Sequence, residues 1–223
     1  MENAKISNLY DLDQTIAKEY LEQFTYPWEA LDGISDFIKK LGPTLDPEKY
    51  EQRGEDIWVA KSAKVAPTAC LNGPLIIDED AEVRHCAFVR GSAIVGKGSV
   101  VGNSTELKND IIFNCVQVPH YNYVGDSILG YKSHMGAGSI TSNVKSDKTL
   151  VVVKDKSTGE EIATGRKKFG AMLGDYVEVG CNSVLNPGTV IGSHTNVYPL
   201  SCVRGVVPAN SIYKKGNEIV QKK

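Results

Sequence analysis

From Val59 onward the chain places an aliphatic or apolar residue at every sixth position: Val59, Val65, Leu71, Ile77, Val83, Val89, Val95, Val101, Leu107 and Phe113. The series resumes in phase at Leu173, Val179, Leu185, Ile191, Val197 and Val203. A period of six fits neither the 3.6 of an amphipathic helix nor the strict alternation of a sandwich strand. It is the period of a solenoid in which a short strand and a tight corner repeat, each strand turning one apolar side chain inward. The residue after the aliphatic is often glycine (Gly96, Gly102, Gly174, Gly180, Gly192), and the fourth after it is repeatedly small, as at Ala81, Ala87, Ala93, Ser99 and Thr105. Corners need such permissive residues, and stacked coils bury one continuous aliphatic core. The 21 glycines and the aromatic fraction of only 8% follow from this architecture.

Ahead of the repeat the period is helical. Ile16, Tyr20 and Phe24 recur at a spacing of four, and Ile34, Phe37, Ile38 and Leu41 at three and four, which predicts two short amphipathic helices. Gly42-Pro43 closes the second, and residues 44–56 read as a linker. The organisation expected is therefore a helical segment and linker over 1–56, a β-helix over 57–208 and a tail over 209–223. Lys and Arg number 25 against 27 Asp and Glu, so no global basic field invites nucleic acid or an anionic membrane surface. The five cysteines are widely spaced and never form a C-x-x-C pair, which predicts buried structural thiols and no metal site. With no signal-like start and no long apolar run, a reduced cytoplasmic protein without a membrane span is expected.

The period fails between Phe113 and Leu173, first where steps of five replace six from Pro119 to Leu129, then across a long excursion. Inside the break lie His120-Tyr121-Asn122-Tyr123-Val124-Gly125-Asp126 and Met135-Gly136-Ala137-Gly138-Ser139-Ile140-Thr141-Ser142-Asn143. Local rules give way preferentially at functional sites.

The repeat resembles the hexapeptide-repeat family of left-handed parallel β-helices, in which three hexapeptides make one triangular coil. An all-β fold of that kind is expected, with the helical start and an inserted β-hairpin as additions. The stretch from Arg90 to about Val203 is similar, more narrowly, to the acetyltransferase half of the bifunctional uridylyltransferase/glucosamine-1-phosphate acetyltransferases. These carry Gly-His-Leu-Thr-Tyr-x-Gly-Asp and Ile-Gly-Ala-Gly-Thr-Ile-Thr-Cys-Asn segments at the same mutual spacing. That resemblance implies transfer of an acetyl group from acetyl-CoA to the amino group of a sugar phosphate or nucleotide sugar. It makes His120 the general base, a role suited to an imidazole titrating near neutrality. It also makes Arg90 and Lys108 the phosphate clamp, and Tyr123, Asn143 and Lys168 further acceptor contacts. Arg90 and Lys108 stand eighteen residues apart, three hexapeptides, so they would project from the same side of adjacent coils. For the acyl donor the resemblance points to Ala137, whose amide would face the oxyanion, and to the positions of Cys181 and Pro199. It further implies a homotrimer with sites shared between subunits.

Several residues depart from that pattern. Cys181 stands where the family has serine, Tyr198-Pro199 where it has Gly-Ala, and His134 where it has asparagine; proline removes an amide and tyrosine adds bulk. These leave open an alternative, a non-catalytic sugar-phosphate or nucleotide-sugar binding protein that has lost CoA. Residues 144–166 form an insertion in which Thr149–Val153 and Glu161–Thr164 flank a Ser157-Thr158-Gly159 turn, predicting a hairpin that projects from the helix as a lid, a partner-contacting arm or a passive decoration. The nucleotidyltransferase half of the bifunctional family, with its Gly-rich loop, has no counterpart in residues 1–56. The helical start is similar to that family's linker and is expected to cover the end of the coil stack.

Overall fold

The computed structural model describes residues 1–214, 216 and 218–222. From Ile57 the chain winds as a left-handed parallel β-helix with three faces. Strands such as Leu75–Ile77, Ala93–Val95, Ala171–Leu173 and Thr189–Ile191 form the first face. Glu82–Val83, Gln117–His120, His134–Met135 and Glu178–Val179 belong to the second. Phe88–Val89, Ile140–Thr141, Val184–Leu185 and Cys202–Val203 belong to the third. Each strand pairs in parallel with its equivalent one coil away, for example Leu75 with Ala93 and Val184 with Cys202. Val59, Ile77, Val89, Val95, Val101, Leu107 and Leu185 are fully buried along the axis, as the six-residue series requires. The small residue after the aliphatic has a steric cause: a Cβ on Gly102 would stand 1.6 Å from the Pro119 carbonyl oxygen of the next coil.

The coil does not stop where the period fails. Ile112, not Phe113, occupies the axial position, paired with Val95 below and Leu129 above. Val118, Val124, Leu129 and Met135 continue the series inside the apparent break. Two corners have simply lost one residue each, between Leu107 and Ile112 and between Val124 and Leu129. There the strands Glu106–Ile112 and Tyr123–Leu129 run unbroken from the third face into the first. The displaced Phe113 is buried instead beneath Tyr10, with ring centroids 5.1 Å apart.

Only Ile34–Leu41 of the helical start forms a helix of two turns; the earlier segment is broken into short pieces such as Lys18–Leu21. The segment does not cover the end of the stack as expected. It runs along the side of the coils, because its large apolar residues meet partners there: Tyr10 on Phe113 and Trp28 on Phe169, ring centroids 5.7 Å apart. The expected linker contains a strand, Tyr50–Gly54, antiparallel to Ile57–Ala60. The tail likewise adds structure, since Ser211–Tyr213 extends the second face and Ile219–Gln221 folds back antiparallel on it; positions 215, 217 and 223 of that region lie outside the described residues.

The hairpin is present, pairing Val152–Asp155 with Glu160–Ala163, but it does not project. Val151 and Val153 are buried against the lower coils, because an apolar strand face gains about 25 cal/mol per Å² by leaving water. Close approach is possible where the coil corner is glycine: a Cβ on Gly205 would lie 2.6 Å from the Lys154 carbonyl oxygen. The thiols also differ from expectation. Cys70, Cys86, Cys181 and Cys202 are exposed and Cys115 partly so, because the axial positions are filled by larger aliphatics and the cysteines fall at corners and outward positions. No helix among the described residues is long and apolar enough to cross a membrane.

Candidate active site

The residues singled out by sequence separate into two groups, at the two ends of the third face. At the corner between the second and third faces, His120, Ala137, Cys181 and Pro199 stand in one column. The His120 carbonyl accepts from Gly138 N at 3.0 Å, the Ala137 carbonyl from Asn182 N at 2.9 Å and the Cys181 carbonyl from Leu200 N at 3.0 Å. These four residues thus occupy equivalent places in successive coils, about 4.8 Å apart. The His120 ring is exposed and makes no hydrogen bond among the described residues. Its backbone is braced by buried Asn122, whose Oδ1 accepts from His120 N at 3.0 Å while Nδ2 donates to the Gly136 and Ser139 carbonyls. The Ala137 amide has no partner among the described residues, so it is available to a ligand. Cys181, Tyr198 and Pro199 line a shallow groove of about 350 Å³ with His134, whose Nδ1 lies 2.8 Å from Glu178 Oε2.

At the opposite corner, between the third and first faces, the two shortened turns build a polar cluster. Asn109 and Asp126 adopt φ of 61° and 51°, the left-handed conformation that Asn and Asp tolerate best after glycine. The Asp126 carboxylate is the hub. Oδ1 accepts from Lys108 Nζ at 2.8 Å and Asn109 Nδ2 at 3.0 Å; Oδ2 accepts from Asn143 Nδ2 at 2.6 Å and Lys108 Nζ at 3.0 Å. Asn143 also donates to the Tyr123 hydroxyl at 3.1 Å, and the tyrosine lies over Gly125, where a Cβ would stand 2.5 Å from that oxygen. Beneath them Asp110 is completely buried and accepts from the amides of Lys108 and Ser127. Burial pushes its carboxyl well up, the Lys108 amide opposes that, and the neighbouring Asp126 adds to it. Burial also raises the Tyr123 hydroxyl, with the same two carboxylates contributing.

Lys108, Asn109 and Asp126 open into a cleft of about 430 Å³ whose other walls are Leu31, Asp32 and Ser35 of the helical segment and Gly165–Lys168 at the base of the hairpin. The insertion leaves and rejoins the coil here, its ends pinned by the Phe169 amide donating to the Asn143 carbonyl at 2.9 Å. Arg166 makes a bidentate pair with Asp32 at 2.6 and 2.7 Å, closing the rim. Lys167 and Lys168 line the same cleft without a carboxylate partner among the described residues. Arg90 sits on the adjacent rung, as the eighteen-residue spacing predicts, since its amide donates to the Leu107 carbonyl. Its guanidinium turns to Glu106 at 2.9 Å; of the predicted acceptor residues Lys108 and Lys168 line the cleft, Asn143 joins it through its hydrogen bond to Asp126 and Tyr123 through its bond to Asn143, and Arg90 stands outside it.

His120 and Lys108 lie at opposite ends of the third face. Lys108 is in register with Gly125 of the next coil, five residues beyond His120, so at about 3.3 Å per residue and about 4.8 Å per coil the two backbones are at most about 21 Å apart. Two long side chains with a small ligand between them can span that gap. Sequence reasoning missed Asp126 and Asn122 as supports, although both lie inside the quoted motif, because no charge pattern reveals which polar residue of a corner turns inward. It missed Asp32 and Arg166 because nothing local signals that the helical segment lies beside the insertion.

The chain is 31% identical to the bifunctional protein GlmU of Methanococcus maripaludis over 226 aligned positions, covering 92% of this chain and 50% of that protein. It is 30% identical to the protein of the same name from Methanocaldococcus jannaschii, covering all of this chain and 58% of that one. A bifunctional sugar-1-phosphate nucleotidylyltransferase/acetyltransferase of Sulfurisphaera tokodaii is 32% identical across 65% of this chain and 40% of its own length. The chain thus spans about half the length of the curated relatives it matches. Among solved structures, the polysialic-acid-specific acetyltransferase NeuO overlaps 77% of this chain and 78% of its own, at 15% identity and a TM-score of 0.49. A family model described as the GMPPB C-terminal domain matches residues 71–215, and since that match takes in both corners of the third face, the chain belongs to the GMPPB C-terminal domain family.

Proposed function

We propose that the protein is an acyl-CoA-dependent acyltransferase that acetylates the amino group of a sugar phosphate or nucleotide sugar. The observation that carries this reading is the cleft at the third corner. Lys108 and Lys168 supply positive charge there, Asn143 and Tyr123 stand beside it on the Asp126 hub as neutral hydrogen-bonding groups, and the third face leads from them to an unencumbered histidine. A phosphate suits the lysine cluster, and the hydroxyls of a hexose suit the amide and phenol. The acceptor amine then lies toward His120. It attacks the thioester carbonyl of acetyl-CoA as the His120 imidazole takes its proton. The oxyanion of the tetrahedral intermediate rests on the Ala137 amide; collapse forms the amide bond and releases CoA thiolate, which is reprotonated. The name of the Sulfurisphaera tokodaii relative, which pairs a sugar-1-phosphate activity with acetyl transfer, supports the substrate class.

The test is direct. With acetyl-CoA and a panel of amino-sugar phosphates and nucleotide amino sugars, free thiol is released in an acceptor-dependent manner for at least one acceptor. Thiol release no faster than the acceptor-free blank across the whole panel overturns the reading. A second reading, a binding protein that keeps the acceptor cleft and has lost CoA, is favoured by Pro199, which offers no amide in the donor column. It predicts acceptor binding by calorimetry with no heat from acetyl-CoA.

The same proposal carries a homotrimer. A three-faced helix with the donor column exposed at one edge has that edge free for a neighbouring subunit. Sedimentation equilibrium is expected to return three times the 24.2 kDa chain mass, and a stable monomer at micromolar concentration contradicts the assembly.

A further inference from the structure

Where the inserted hairpin docks on the lower coils, it encloses a trough that the acceptor cleft does not use. One compartment, about 400 Å³, has Val151, Val152 and Pro187 as its floor and Lys145 and Lys154 on its rim. The adjoining compartment, about 310 Å³, is lined by Val206, Pro208, Tyr213 and Ile219. Lys156 and Arg204 line both, and so stand at the waist between two apolar chambers. No carboxylate lines either chamber among the described residues. Lys145 and Lys154 are each paired with an acid, at 3.5 and 2.6 Å, but Lys156 and Arg204 have no partner among the described residues.

The waist is held in place from both sides. On the hairpin, Asp155 is buried between Lys154 and Lys156. Burial works against its charge, yet hydrogen bonds from Ser157 and from Asn3 of the helical segment hold its carboxyl below the usual range. On the coil, Gly205 follows Arg204 at φ 76° and admits the hairpin backbone where no side chain could fit. Two exposed cations without an acidic partner among the described residues therefore share this waist, with apolar surface on either hand.

We propose that this trough binds a nucleoside diphosphate ester. The pyrophosphate would lie across Lys156 and Arg204, the nucleoside in one apolar chamber and the esterified group in the other. A bare phosphate would leave both chambers wet, and an apolar ligand would leave two cations desolvated and unpaired. Two sources share this chemistry, coenzyme A and a nucleotide sugar. The site stands independently of the acceptor reading, because none of its residues lines the cleft of Lys108 and Asp126.

Calorimetric titration of the full chain with coenzyme A, with a uridine diphosphate sugar and with inorganic pyrophosphate tests it. One or both diesters bind, and pyrophosphate binds at least about 10-fold more weakly because it covers no apolar surface. Lys156→Ala/Arg204→Ala weakens the diester by about 10-fold or more, the loss expected for two charge-assisted contacts. Both side chains are exposed, so an unchanged thermal transition verifies the fold of that variant. Lys39→Ala/Lys40→Ala, two exposed lysines at the end of the Ile34–Leu41 helix that line neither the trough nor the cleft, is expected to leave diester affinity unaltered. The proposal is overturned if neither diester binds, if pyrophosphate binds as tightly, if the waist variant binds like wild type, or if the control variant weakens binding as much as the waist variant does. Which diester loses affinity in the waist variant identifies the source, and the acceptor-dependent thiol assay remains a separate measurement.

Discussion

Asp126→Ala is expected to lower unfolding free energy by about 3 kcal/mol and to raise the KM for the acceptor more than tenfold. The side chain is almost completely buried and collects donors from three residues on two segments: Lys108 and Asn109 of one strand, and Asn143 at the start of the insertion. Removing one partner of a buried pair typically costs 3–5 kcal/mol, because a charge is left behind without compensation. Lys108 retains 23% of its side-chain surface in contact with solvent, which places the cost at the lower end of that range. Asp126→Asn is not a rescue. Both carboxylate oxygens face donors, so an amide in either orientation opposes N–H to N–H. The coupling distinguishes this from generic damage: Lys108→Ala in the Asp126→Ala background should cost less than in the wild type, since its partner carboxylate is already gone and the substitution removes an orphaned ammonium. Urea denaturation of the four proteins measures it. Strict additivity, or an Asp126→Ala protein as stable as wild type, contradicts the role of the hub.

The carboxylate matters in the resting protein because it holds the Lys108 ammonium in the cleft before any substrate arrives. An incoming phosphate competes with Asp126 for that ammonium and finds Lys167 and Lys168 uncommitted nearby. The cleft is therefore preorganised in position while remaining partly neutralised in charge. Arg166 plays a different part, since its bidentate pair with Asp32 joins the hairpin base to the helical segment at the rim.

The axial series shows why most of the fold can be read from residue order alone. Val95, Val101 and Leu107 sit six apart because one strand and one corner consume six residues, and a buried axis tolerates little else. The same rule misleads at Phe113, one residue past the true axial Ile112, because a five-residue corner shifts the phase without altering hydrophobicity. What made that corner short is local, a left-handed Asn109 and Asp126 in place of a longer turn, and those two residues also form the cleft. Long-range placement is harder. Nothing in the sequence around Trp28 points to its partner, Phe169, which lies on the far side of the insertion. The hairpin was visible in its turn residues, whereas its docking depended on Gly188 and Gly205, where a Cβ would meet Val151 and Lys154. The column of His120, Ala137, Cys181 and Pro199 follows from coil arithmetic once the short corners are counted.

His120→Ala is expected to lower kcat for acceptor-dependent thiol release by about 100- to 10,000-fold, the usual range for removing a general base. Stability should change by less than about 0.5 kcal/mol, because the exposed ring makes no hydrogen bond that its loss would break. The acceptor KM should also move little, since the groups of the cleft are at the far end of the face and depend on Asp126. That combination separates His120 from its support. Asn122→Ala removes the hydrogen bond to the His120 amide and two more to the next coil, so it should lower both stability and kcat while leaving the imidazole in place. Asn122→Asp is no rescue, because it keeps the acceptor for His120 N but sets a buried carboxylate oxygen against the Gly136 and Ser139 carbonyls. If His120→Ala turned over at the wild-type rate, the proton would have to leave by another route, and the open corner of the second and third faces would lose its claim to the chemistry.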